Sequence, residues 1–276
     1  MDVNSIRSQF PILSKKINGK PLVYLDSSNS SQKPINVINA LDFFYKNEFS
    51  NIGRSIHSLA VNAKNKFEET RMSVKNFINA SSKEEIIFTK NATESINLVA
   101  STFGQENIKK GDEILITELE HHSNYVPWHY LRESKGAIIK FIPINDDGDI
   151  VIEKLKELVT SKTKIIAITH LSNVTGTIVP IKEIVEIARK KEIPVLVDGC
   201  QSAPHIKIDV KDLDCDFYAI SCHKVYGPTG VGVLYAKKKW LEKLPPYTGG
   251  GGMINEVTKE NITFASLPEK YEAGTM

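Results

Sequence analysis

Val195-Leu196-Val197-Asp198-Gly199-Cys200-Gln201 and Asp216-Phe217-Tyr218-Ala219-Ile220-Ser221-Cys222-His223-Lys224 are two apolar runs, each ending in chemistry-bearing residues. Each is short and almost uninterrupted, the pattern of a strand buried on both faces of a parallel sheet. The first run delivers Asp198 at its carboxyl end, and the second delivers His223 and Lys224 to the same edge. Ligands of open α/β sheets bind at that edge. An acid and a lysine from two strand ends suit pyridoxal phosphate (PLP). The lysine forms a Schiff base with the cofactor, and the carboxylate keeps its pyridine nitrogen protonated. Taken singly, Lys224 reads as a solvated lysine and Asp198 as a turn or cap residue. The pair carries the assignment.

The surrounding sequence repeats the strand–helix alternation. Ile86–Thr89 precedes a helix from Thr93, Glu113–Thr117 precedes one from about Asn124, and Ala137–Ile142 precedes one from Ile152. Lys164–Thr169 precedes a helix from Ile181, and Val195–Val197, Phe217–Ile220 and Gly232–Tyr235 complete the set. Strands alternating with helices predict an α/β fold: a mostly parallel seven-stranded sheet with helices on both faces, in α-β-α layers. Residues 1–33 read as an arm and loop containing a short strand, Leu22–Leu25; Pro34–Lys46 and Ser58–Ile78 read as helices. Residues 34–265 then form the large cofactor-binding domain, and residues 266–276 begin a truncated C-terminal segment. Gly249–Gly252 lacks the strand-before and helix-after setting of a phosphate loop and reads as a flexible loop.

The chain has 276 residues, 41% hydrophobic and 25% charged, with a net charge of +2. This is ordinary globular composition, with no field for nucleic acid or a membrane surface. The start lacks a charged segment followed by an apolar run, and no stretch is long enough to span a bilayer, so a cytoplasmic location is expected. Cys200, Cys215 and Cys222 give neither a disulfide framework nor a Cys-x-x-Cys metal pair. They read as small packing residues.

Four further segments follow strand ends. Asn91-Ala92-Thr93-Glu94-Ser95 opens a helix whose free N–H groups and Thr93 hydroxyl can bind phosphate, with Ser221 and His223 adding to the same anion. A plain threonine cap explains the same residues. Glu120-His121-His122-Ser123-Asn124 can place one imidazole on a pyridine ring, or simply on the surface; no third ligand is suitably spaced for a metal. Ser172-Asn173 can donate to the cofactor's phenolic oxygen, or form an Asn-rich turn. Tyr226-Gly227-Pro228-Thr229-Gly230 shapes a loop that holds the lysine stem.

Together these motifs resemble the class V aminotransferase group of fold-type I PLP enzymes. The chain is most similar to the Suf-type (group II) cysteine desulfurases and selenocysteine lyases, from about Phe10 to Thr275. Tyr24-Leu25-Asp26-Ser27, Gln32-Lys33-Pro34, Arg54-Ser55-Ile56-His57, Val126-Pro127-Trp128 and Glu272-Ala273-Gly274-Thr275 fit that subgroup. The resemblance implies that Lys224 carries PLP and acts as base and acid at the substrate α-carbon. Asp198 would pair with the pyridine nitrogen, His121 would stack on the ring, and Asn173 and Gln201 would meet its phenolic oxygen. Thr93, Ser221 and His223 would hold the phosphate, and Thr275 would reach the phosphate of the other subunit of a homodimer.

The implied reaction converts L-cysteine to L-alanine, with sulfur passed as a protein persulfide to iron–sulfur cluster assembly through a sulfur-acceptor protein of the Suf system. Ser28 and Asn29 replace the usual alanines of the substrate loop, where Arg54 also belongs, and Gly53 stands where histidine is frequent. The family's nucleophilic cysteine and substrate-gripping arginine would lie beyond Met276, so this chain alone is expected to bind PLP without desulfurating cysteine. A selenocysteine lyase, another class V PLP enzyme and a non-catalytic PLP-binding scaffold are the alternative readings.

Overall fold

The structure is a computed structural model that describes residues 2–53 and 55–275. Seven strands form one sheet: β1 (Ile86–Thr89), β2 (Glu113–Thr117), β3 (Ile138–Ile142), β4 (Thr163–Thr169), β5 (Val195–Asp198), β6 (Phe217–Ser221) and β7 (Gly232–Ala236). Their order is β1-β7-β6-β5-β4-β2-β3. The pairs from β3 through β6 are parallel, whereas β7 is antiparallel to both β6 and β1. Strand β1 therefore runs in the same direction as β6. This brings the carboxyl ends of β1, β2, β4, β5 and β6 to one edge of the sheet.

Successive side chains of a strand point to opposite faces, and the core divides accordingly. Leu115, Ile166, Ile168, Val195, Val197, Tyr218 and Ile220 belong to one buried cluster, together with Leu155 of α6 (Ile152–Leu158) and Ile184 and Val185 of α7 (Ile181–Arg189). Phe67 and Val74 of α3 (Ser58–Phe77) pack on the same side. Ile114, Ile116, Ile165, Leu196, Phe217 and Ala219 belong to the other cluster. It also holds Ile96 and Phe103 of α4 (Ala92–Asn107), Trp128 of α5 (Val126–Lys135) and Leu241 of α9 (Lys238–Lys243). Helix α7 shows why such elements form: Ile181, Ile184, Val185 and Ala188 are buried at i, i+3, i+4 and i+7, with charged residues between them.

The N-terminal residues depart from expectation. Leu22–Leu25 forms no strand: it has no partner strand, and Val23 and Leu25 are 73% and 91% exposed. The pairing lies upstream, where Lys16–Ile17 and Lys20–Pro21 form a hairpin around Asn18-Gly19. Both turn residues have positive φ, as a tight hairpin turn requires. A second hairpin, Ile254–Val257 with Ile262–Phe264, follows the Gly249–Gly252 segment. Tyr271 is buried and donates to the carbonyls of Leu241 and Leu244, which fastens the last residues to α9. Helix α2 (Ile35–Asn47) has no buried residue. Among the described residues, no helix is long and apolar enough to cross a membrane.

Candidate active site

The shared strand edge encloses a cleft of about 250 Å³, lined by residues from five loops and by Asn29 of the N-terminal arm. Thr93, His121, Asn173, Asp198, Gln201, Ser221, His223 and Lys224 all face it. Residues as far apart in sequence as Thr93 and Lys224 meet here because their strands run in the same direction and end at one edge of the sheet.

Strand β5 places Asp198, which is 3% exposed. Its Oδ1 accepts the Cys200 backbone N–H at 3.0 Å, which fixes the carboxylate across the turn. Gly199 is required here: a Cβ would lie 2.0 Å from the Tyr218 ring. The Tyr218 hydroxyl is in turn held by Ser202 Oγ at 2.6 Å and His170 Nδ1 at 2.9 Å. This buried trio braces the floor beneath Asp198. Burial pushes the His170 pKa down to about 4, so its imidazole is neutral at pH 7.

The N-terminus of α4 approaches β7 closely. A Cβ on Gly232 would meet Asn91 backbone atoms at 2.5 Å, so glycine makes room for the cradle. Ser221 Oγ accepts the Ala92 N–H at 2.9 Å, and Asn91 Oδ1 accepts the Glu94 N–H at 2.8 Å. Thr93 is exposed at the mouth of this turn. Such a helix start offers donors and a positive partial charge to an anion. Burial lowers the His223 pKa, and the Lys224 and Lys33 charges add to the shift. Neutral His223 then contributes hydrogen bonding rather than charge.

His121 follows β2. Its Nδ1 accepts the Ser123 backbone N–H at 3.1 Å, which leaves the proton on Nε2. Burial lowers its pKa; Asp198 opposes that shift, and Lys224 and His122 add to it. His122 does not line the cleft. Glu120 next to it is not among the cleft-lining residues but supports the site, a role that the sequence did not disclose. Its carboxylate accepts from Thr117 Oγ1 at 2.5 Å, Thr169 N at 2.9 Å and Asn124 Nδ2 at 2.5 Å. It thus clips the β2 exit to the β4 exit. Burial pushes its pKa up to about 8 against these donors, with Asp198 reinforcing the rise.

The β4 exit carries Asn173 in a turn held by Ser172 Oγ, which accepts from Val174 N and Thr175 N at 3.2 Å. Gln201 lines the cleft, but its Nε2 donates to the Ser28 carbonyl at 2.5 Å. It ties the arm to the β5 exit. Ser28 itself is not among the cleft-lining residues, unlike Asn29. Thr275 lies elsewhere: its Oγ1 accepts from Asn51 Nδ2 at 3.2 Å, and it lines a second cavity of about 570 Å³ beside Gly249 and Gly250. Arg54 lies outside the described residues.

Pyridoxal phosphate fits this donor set. An amine, a buried carboxylate, a flat imidazole and an anion cradle converge on one cleft of matching size. Burial raises the pKa of Cys200, Cys215 and Cys222 alike, and reactive cysteines show the opposite shift.

The aminotransferase class V family model matches residues 23–276. The chain belongs to the class V aminotransferase family. It is 51% identical over 275 residues to a probable cysteine desulfurase of Halalkalibacterium halodurans, covering 100% of this chain and 68% of that protein. Its fold matches the cysteine desulfurase CsdA of Escherichia coli with a TM-score of 0.91 at 38% identity, covering 100% of this chain and 68% of that one. A C-DES mutant with glycine covalently linked to its PLP cofactor matches at 26% identity and a TM-score of 0.81, covering 98% of this chain and 69% of that one. PLP is the cofactor of this class V family, and the chain is a homologue of its cysteine desulfurases.

Proposed function

We propose that this chain provides the cofactor site of a PLP-dependent cysteine desulfurase that takes L-cysteine to L-alanine. The observation that carries this reading is the convergence of Lys224, Asp198, His121 and the α4 cradle on one cleft. When bound, PLP supplies an electron sink for the pair left at the substrate α-carbon. Lys224 would anchor the cofactor and move the proton at that carbon. Asp198 would hold a proton at the ring nitrogen, and its burial strengthens that interaction. His121 would stack on the ring, with its Nε2–H available to the reacting groups. Thr93, Ser221 and His223 would hold the phosphate, and Asn173 and Gln201 would flank the phenolic oxygen.

Residues 34–265 form the cofactor-binding domain in this reading, between the arm of residues 1–33 and the segment 266–276. The protein would act as a cytoplasmic homodimer in which Thr275 serves the partner's phosphate. The separation of Thr275 from this chain's own cleft supports that arrangement, as does the exposed apolar surface of α2, including Ile38, Leu41 and Phe43. Sulfur would pass as a persulfide to a Suf-type acceptor and on to iron–sulfur cluster assembly. The raised thiol pKa values of Cys200, Cys215 and Cys222 support a sulfur-accepting thiolate other than these three.

The purified chain, loaded with PLP and given saturating L-cysteine in D₂O, should exchange the substrate α-proton. Lys224→Ala should reduce that exchange by about 100-fold or more. No exchange in the unaltered chain would contradict the proposal. Alanine and sulfide release abolished by changing Cys200 or Cys222 would make one of those cysteines the nucleophile instead.

A further inference from the structure

The backbone on both sides of Lys224 is gripped by the N-terminal arm. The His223 carbonyl accepts from Lys33 Nζ at 2.8 Å, Ser31 Oγ at 3.0 Å and Ser31 N at 3.1 Å. On the far side, Tyr226 N donates to the same Ser31 Oγ at 2.9 Å. Tyr226 has a φ of 63°. A bulky residue adopts that left-handed conformation only where its surroundings impose it. Ser31 is 5% exposed. Lys33 gives a second donor to the Ser31 carbonyl at 2.7 Å, and among the described residues it has no carboxylate partner. A partly buried ammonium held only by two carbonyls serves those carbonyls rather than an ion pair.

We propose that Ser31 and Lys33 form a latch that positions Lys224. Lys33 and Ser31 fix the His223 carbonyl, Ser31 holds the turn at Tyr226, and the stem of Lys224 leaves the backbone between the two fixed points. The same arm presents Asn29 to the cleft and accepts Gln201 through the Ser28 carbonyl. The latch therefore sets the distance between the substrate-facing loop and the amine. Lys33 and Ser31 touch neither cofactor nor substrate in this arrangement; they are positioning residues.

This inference rests on Lys224 being the lysine that carries PLP, and the test separates the two. Purified chains are loaded with PLP, and the total bound cofactor is measured. A second aliquot is reduced with borohydride, and the fraction trapped on the peptide containing Lys224 is quantified by mass spectrometry. A label on another lysine in the unaltered chain defeats the cofactor assignment, not the latch. With Lys224 labelled in that chain, Lys33→Met should keep bound PLP within about twofold, through the phosphate contacts. Its trapped fraction should fall about tenfold, as expected for one lost charge-assisted hydrogen bond. Lys33→Arg, which keeps the charge and the donors, should recover at least about half of the trapping. Trapping in Lys33→Met equal to that of the unaltered chain overturns the latch, and so does Lys33→Arg behaving no better than Lys33→Met. If Lys33→Met fails to fold, Ser31→Ala decides by the same ratio: reduced trapping supports the latch and unchanged trapping overturns it.

Discussion

Replacing Glu272 with alanine should remove about 3–5 kcal/mol of stability, because it leaves a fully buried guanidinium with only the partly exposed Glu68 carboxylate, 3.4 Å from its Nε, as counter-charge. Arg71 of α3 is 0% exposed, and its Nη1 and Nη2 each donate to a Glu272 carboxylate oxygen at 2.8 Å. Nη1 also donates to the Ile86 carbonyl at 2.7 Å, and Glu272 Oε1 accepts the Phe88 N–H at 2.7 Å. The Phe67 and Phe88 rings lie 4.9 and 4.8 Å from the guanidinium carbon. Burial disfavours the cation, but the hydrogen bonds and charge of Glu272 outweigh it and raise the Arg71 pKa. The pair joins α3, strand β1 and the last residues of the chain, and β1 leads directly into the α4 cradle. Thermal unfolding should show a midpoint lower by about 6–15 °C in Glu272→Ala. A loss below about 1 kcal/mol would place this pair among weak surface contacts. The pair is also why the segment after residue 265 packs as part of the main body.

Asp198→Ala should lower α-proton exchange by about 100-fold or more, the scale for losing one preorganised electrostatic group. Bound PLP should persist through the α4 cradle, whose Ala92 N–H and Ser221 Oγ do not depend on Asp198. The change also leaves the Cys200 N–H without its acceptor, so Asp198→Asn is the companion variant: it keeps an acceptor there and removes the charge. Both variants should lose exchange to a similar degree. Near-normal exchange in Asp198→Asn would assign the ring-nitrogen role to another group.

The buried strands were legible because β4 to β6 are covered on both faces and read as apolar runs without alternation. Their chemistry-bearing residues stood out because an acid, a histidine or a lysine ends each run. In the arm, sequence and structure differ for the converse reason. Leu22, Val23 and Leu25 have strand composition, yet burial follows from tertiary partners that composition does not report. The hairpin at Ile254–Val257 carries no signal in the sequence because its side chains are half-buried or exposed, with no apolar face to mark it. Glu120, Ser31 and Lys33 look like ordinary polar residues in one dimension. Their roles arise from contacts with Thr169 and His223, far away in sequence. Gln201 was legible as a cleft residue, but its bond to the Ser28 carbonyl required the fold.

Borohydride reduction of the PLP-loaded chain, followed by peptide mapping, tests the central claim most directly. The cofactor should be found on Lys224, in the peptide that also contains Cys222 and His223. Lys224→Ala should carry no covalent label while keeping part of its bound PLP. A label on any other lysine, or an undiminished label in Lys224→Ala, would contradict the account.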